Sequence, residues 1–106
     1  MDGVILVAVG NGGITGCAVL YLTVQVKGEE EELPHQYALV SEFVVTGSAR
    51  GHGIGTALLA ACEQRAKLMA RHELCISVLA ANTGAHRLYR QMGFADTHIS
   101  MKKSLL

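Results

Sequence analysis

The apolar positions of this chain fall into two regimes. In the first half they come as runs rich in β-branched and aromatic side chains: Val4 to Val9, then Ile14 to Lys27 with Val, Leu, Tyr and Thr throughout, then "YALVSEFVV" from Tyr37 to Val45. Runs of this kind predict three strands. Asn11-Gly12-Gly13 between the first two reads as a hairpin turn, and the stretch from Gly28 to His35, with the only proline, Pro34, reads as a loop. In the second half the spacing is helical. Leu59, Cys62, Ala66 and Met69 recur with Glu63, Arg65 and Lys67 between them, predicting a helix from Gly53 to Ala70. "LCISVLA", Leu74 to Ala80, is a further short strand. Ala85, Leu88, Tyr89 and Met92 then fall at i, i+3, i+4 and i+7 of a second amphipathic helix, Thr83 to Met92. Gly93 ends that helix as a C′ glycine does, and Phe94 to Leu105 predicts one or two final strands, "HISMKKSL" being the clearest.

This order predicts an α/β fold: an antiparallel hairpin followed by a β-α-β-α-β unit. The strand, helix, strand crossover makes the third and fourth strands parallel, so the sheet is mixed and the helices cover it. A chain of 106 residues is expected to form one domain over 1–106.

Charge and composition narrow the partners. Half the residues are hydrophobic and the formal net charge is zero, which disfavours nucleic acid and anionic membrane as partners. Glu29 to Glu32 form an acidic run that is either a solvated loop or an attractor of cationic substrates, while Arg50, Arg65, Lys67, Arg71, Arg87 and Arg90 lie later in the chain. Cys17, Cys62 and Cys75 are too widely spaced for a disulfide framework or a zinc site and read as buried thiols. The start has no basic n-region, and no apolar run is long enough to span a bilayer, so a soluble, cytoplasmic protein is expected.

The candidate chemistry sits where the two regimes meet, in "GSARGHGIGTALL". A dinucleotide fingerprint starting at Gly51 needs a third glycine where Thr56 stands, and no glycine here has the Gly-Lys-Ser/Thr of a Walker A loop. What remains is a strand, a turn and R-x-x-G-x-G from Arg50 to Gly55, running into a helix. Helix-start N–H groups lack intrahelical acceptors and carry the positive end of the dipole, so this is a cradle for an anion such as a pyrophosphate. The other reading is a glycine-rich turn that lets the helix pack closely on the sheet.

Downstream, "NTGAHRLYRQMGF" has the form N-x-x-A-x-x-L-Y-x-x-x-G-F, from Asn82 through Ala85, Leu88 and Tyr89 to Gly93 and Phe94. Together with "RGHGIGTALL", it resembles the GNAT superfamily of N-acetyltransferases, over nearly the whole chain from Val4 onward. The resemblance implies an acyl-CoA N-acyltransferase-like fold, acetyl-CoA as cosubstrate and a primary amine of a small molecule or protein as acceptor, with no metal. It implies that Arg50, Gly51, His52, Gly53, Ile54, Gly55 and Thr56 bind the CoA pyrophosphate. Phe43, Val44 and Val45 would pair with the pantetheine arm and offer an N–H to the thioester carbonyl. Asn82 would lie near the cofactor, and Tyr89 would protonate the departing thiolate.

Each of these residues has a plainer reading. Asn82 or Thr83 is a helix N-cap, and Tyr89 is a core residue on an apolar stripe. His52 and His86 are surface residues flanking the cofactor, with no catalytic role. An ammonium is no nucleophile, so a base is required. Glu42 is the candidate: it is expected to share a strand face with Val40 and Val44, where burial would strengthen it as a base. Its plainer reading is a carboxylate that reaches solvent or an ion pair.

The family's usual first strand and two helices are not matched ahead of the opening hairpin. Two expectations follow: a homodimer that covers the edge of the first strand or exchanges C-terminal strands, or an open acceptor side suited to a bulky protein amine near Glu29 to Glu32. Two other classes stay open, a non-catalytic CoA-binding module and a packed interaction domain with vestigial glycines.

Overall fold

A computed structural model describes residues 2–10, 12–26, 35–47, 51 and 53–106. Four strands and two helices follow in the order β1 (Gly3–Gly10), β2 (Gly13–Val26), β3 (His35–Val45), α1 (Ile54–Leu68), β4 (Leu74–Ile76) and α2 (Thr83–Gln91). The strands lie side by side in chain order, β1-β2-β3-β4. The first two pairings are antiparallel and the β3–β4 pairing is parallel, which is the mixed sheet that the hairpin and crossover require. Among the described residues, no helix is long and apolar enough to cross a membrane.

The core lies between the sheet and α1. Ala18, Leu20 and Leu22 on β2 and Ala38 and Val40 on β3 are buried against Cys62 and Ala66 of α1, with Val4, Leu6, Phe43, Leu74 and Ile76 packed around them. Leu58 and Leu59 complete the buried face of the helix, whereas Met69, expected in the same stripe, is half exposed. Cys62 is fully buried, and burial pushes its thiol above the usual range; Cys17 and Cys75 are only partly buried.

β3 changes phase in its middle. Leu20 pairs with Val40 but its neighbour Val19 pairs with Glu42, so Ser41 is an extra residue opposite β2, a β-bulge. Directly opposed residues share a face and consecutive residues do not. The inward set on β3 is therefore Ala38 and Val40 before the bulge and Phe43, opposite Ala18, after it. Glu42 shares a face with Val44, as expected, but lies opposite to Val40, and it is exposed rather than buried. The bulge corrects the strict alternation on which that expectation rested.

Both helices end in Schellman hydrogen bonds. In α2, Phe94 N–H donates to Tyr89 O and Gly93 N–H to Arg90 O, with Gly93 at φ 98°. In α1 the same pair runs from Arg71 to Ala66 O and from Ala70 to Lys67 O, but the left-handed position is Ala70, at φ 57°. The turn delivers Arg71 onto β2. Its Nε donates to Leu22 O and its Nη2 to Thr23 Oγ1, both at 2.7 Å, where the β2–β3 register skips between Tyr21 and Val24.

Two strand expectations are corrected. β4 spans Leu74–Ile76 rather than reaching Ala80, because its pairing with β3 stops at Val40, where the bulge begins. The expected C-terminal strand is not formed. Residues 94–106 take neither helix nor strand, and Ile99 and Met101 are 87% and 88% exposed. Their alternation is strand-like, yet a strand without a neighbour has nothing to stabilise it. The Glu29 to Glu32 run and Pro34 lie outside the described residues.

Candidate functional site

The site is built where β3 runs out and α1 begins. Thr46 N–H donates to Thr15 O at 2.9 Å, holding the end of β3 against β2. The chain then turns through Gly51 at φ 82° and Gly53 at φ 76°, and Gly53 caps α1. These left-handed values are the reason for glycine at both positions, since a Cβ there strains the backbone. Among the described residues no side chain caps the helix start and no acidic residue occupies its first turn, while Arg65 and Lys67 sit in its last. Among the described residues, the positive end of the helix dipole thus has no carboxylate in its first turn.

The third glycine works differently. A Cβ on Gly55 would meet Leu88 Cδ2 at 3.2 Å and Phe43 Cζ at 3.5 Å, whereas one on Gly51 or Gly53 meets no described atom within 4 Å. Gly55 brings the first turn of α1 against α2 and β3, which is the close-packing reading of the glycine motif, whereas Gly51 and Gly53 answer to backbone conformation. Ile54 is half-buried and Thr56 exposed. Arg50 and His52 lie outside the described residues.

Beside this turn, β3 keeps its strand pairing with β2 after its pairing with β4 has ended. Its pairing with β4 covers Ala38 to Val40, but its pairing with β2 continues to Val45. Ala38 N–H points to β4, donating to Glu73 O, and Thr46 N–H points to β2. Counted back from Thr46 in steps of two, Val44 also faces β2, so the N–H of Phe43 faces the side on which β4 has ended. Past Val40 this edge of β3 is no longer paired with β4, next to the start of α1.

Tyr89 reaches this junction from α2. It is 7% exposed, and its ring meets Phe43 edge-on and Phe94 at a tilt, each with centroids 6.0 Å apart. Burial raises its phenol above the ordinary value, so it is protonated throughout the neutral range. Asn82 is the N-cap of α2: its Oδ1 accepts from Ala85 N–H at 3.1 Å, and its amide NH₂ remains on an exposed side chain.

Sequence reasoning missed two features. One is the bulge at Ser41, whose signal is the consecutive polar pair Ser41-Glu42 between inward Val40 and inward Phe43. The other is Asp96, which accepts from Arg90 Nη2 at 2.5 Å and lies 2.7 Å from His86 Nε2. These hydrogen bonds, first Arg90 and then His86, hold its carboxyl down at about 2. His86 therefore ties the chain after α2 to the outer face of that helix. An open hollow of about 460 Å³ on the same face is lined by Thr83, His86, Arg87, Arg90 and Gln91, away from the face that carries Leu88 and Tyr89.

The profile of the acetyltransferase (GNAT) domain matches residues 1–96. The uncharacterized N-acetyltransferase YycN of Bacillus subtilis (strain 168) is 38% identical over 76 residues, which are 72% of this chain and 49% of that protein. The chain spans about half the length of the curated relatives it matches. Among solved structures, a mutant of the BH1408 protein from Bacillus halodurans superposes with a TM-score of 0.89 at 23% identity, covering 98% of this chain and 66% of that one. AAC(6')-Iy, in complex with the bisubstrate analogue CoA-S-monomethyl-acetylneamine, gives a TM-score of 0.78 at 18% identity over 96% of this chain and 68% of that one. At such identities the structural likeness is one of fold.

Proposed function

The chain belongs to the GNAT acetyltransferase family, and on that premise we propose that it moves an acetyl group from acetyl-CoA to a primary amine by direct transfer. One observation carries the reading. A helix start with no side-chain cap or acidic residue among the described residues stands behind two left-handed glycines, next to a strand edge whose pairing with β4 ends at Val40. A long ligand with a pyrophosphate at one end and an amide-bearing arm at the other suits both halves.

In this proposal the turn from Arg50 to Thr56 holds the pyrophosphate through its peptide N–H groups, and Phe43 to Val45 align the pantetheine arm. Acetyl-CoA supplies the acyl group, activated as a thioester. The Phe43 N–H stabilises charge that develops on the acyl oxygen. Glu42 takes one proton from the acceptor ammonium, which frees the nitrogen lone pair. As the N–C bond forms and the C–S bond breaks, Tyr89 gives its phenolic proton to sulfur, and the nitrogen's second proton restores the phenol. Asn82, while capping α2, offers its amide NH₂ to the cofactor.

The proposal is tested by thermal unfolding with acetyl-CoA, CoA and ATP titrated separately, because a ligand of the folded state raises the midpoint by mass action. A saturable rise with acetyl-CoA and CoA, small with ATP and reduced in Gly53→Ala, supports it; no rise with any of them rejects it. Turnover of an amine then separates the enzyme from a CoA-binding module. We further propose a cytoplasmic homodimer joined along the outer edge of β1, an edge strand of the sheet. Sedimentation that finds only monomer at micromolar concentration rejects the dimer.

A further inference from the structure

Across the middle of the sheet, the described face turned away from α1 is apolar except at Glu42. The strand register lays rows across it: Ile5, Val19 and Glu42; Val7, Cys17 and Val44; Tyr21 and Leu39. Ile5 is 69%, Val7 49% and Val44 56% exposed, a contiguous group of bare aliphatic side chains. Glu42 is the one charged residue in these rows. It stands at their β3 end, next in sequence to the Phe43 N–H and beside the strand edge whose pairing with β4 has ended. With strands about 4.8 Å apart, the row from Ile5 to Glu42 spans roughly 10 Å.

This juxtaposition specifies a ligand. A carboxylate at the end of an apolar strip complements an ammonium attached to an apolar body of the same length. A polycation matches it poorly: one amine can pair with Glu42, but the others are carried over Ile5, Val7 and Val19, where no described acceptor meets them. The strip also explains why the bulge matters here, since it is Ser41 that turns Glu42 onto this face and away from the core.

We propose that this face is the acceptor platform, and that the acceptor is a monoamine whose amino group is carried on an aliphatic or aromatic body. The proposal rests on the acetyl-transfer reading, which it deepens by naming the acceptor class. The amine is held by Glu42 and its apolar body lies over Val19 and Ile5, flanked by Val44 and Val7.

The test uses the whole chain in the presence of CoA, with 2-phenylethylamine and spermidine as probes, read by backbone amide shifts and, with acetyl-CoA, by turnover. Saturable shifts of the Ile5, Val19 and Val44 amides with 2-phenylethylamine, at least about tenfold weaker with spermidine, are expected. Glu42→Gln should weaken 2-phenylethylamine by roughly tenfold, and Ile5→Thr, which keeps a β-branched strand residue on an exposed position, should raise its KM severalfold with kcat little changed. Equal or tighter binding of spermidine, or no saturable shift at these residues, overturns the platform whatever turnover shows. Binding there without an acetylated product supports the platform and rejects acetyl transfer; acetylation of an amine that leaves these amides unmoved does the reverse.

Discussion

The two readings of Tyr89, core residue and proton donor, are compatible in its surroundings. It is a core residue, wedged between Phe43 and Phe94, and the same burial keeps its phenol protonated. Tyr89→Phe preserves the ring contacts and removes only the proton. With the proposed role, kcat should fall by roughly 10²-fold while acetyl-CoA affinity and unfolding midpoint barely move. Because the folded phenol titrates above its ordinary value, the stability it contributes is present below about pH 10 and lost as pH rises through the folded value. Asp96 works in the opposite direction. Its carboxyl is held at about 2, below the ordinary 3.8, so the tie to Arg90 and His86 is intact above pH 3.8 and lost as pH falls through about 2. Acid titration followed by the amide shifts of residues 95–97 should show that release, and Asp96→Asn should show it at neutral pH.

At the scale of elements, positions were more legible than partners. The periodicities located β1, β2, β3, α1 and α2 to within two residues, because propensity, glycine stops and apolar spacing act locally. β4 and the C-terminal segment were overextended, because strand length depends on a neighbour, which a sequence pattern does not contain. The end of α1 shows a local conflict that survives for the sake of a distant contact. Ala70 accepts a left-handed φ of 57° in the place where α2 uses Gly93, and the turn it forms sets Arg71 on Leu22 and Thr23. Ala70→Gly keeps that turn and removes the strain, so it should stabilise the fold by about 1 kcal/mol, read as a higher denaturant midpoint at unchanged slope.

Across the whole molecule, the sheet has two unlike faces: one buried under α1, the other with exposed Ile5, Val7 and Val44 beside the carboxylate of Glu42. The glycine turn before α1 and the place of Tyr89 on the apolar stripe of α2 were legible because both sit in local motifs. The orientation of Glu42 was not, since it depends on one residue, Ser41, whose effect appears only when β3 is laid against β2. That extra residue works as a frame change within a strand. Substitution to lysine along β3, scored by folded yield, should be tolerated least at Ala38 and Val40 and then at Phe43, with tolerant Ser41 and Glu42 marking the crossover. A scan that kept one phase from Ala38 to Val44 would show β3 to be an uninterrupted strand. The frame change lets one continuous segment belong to the core in its first half and turn a carboxylate outward in its second, so its two halves are constrained by different neighbours and free to vary independently.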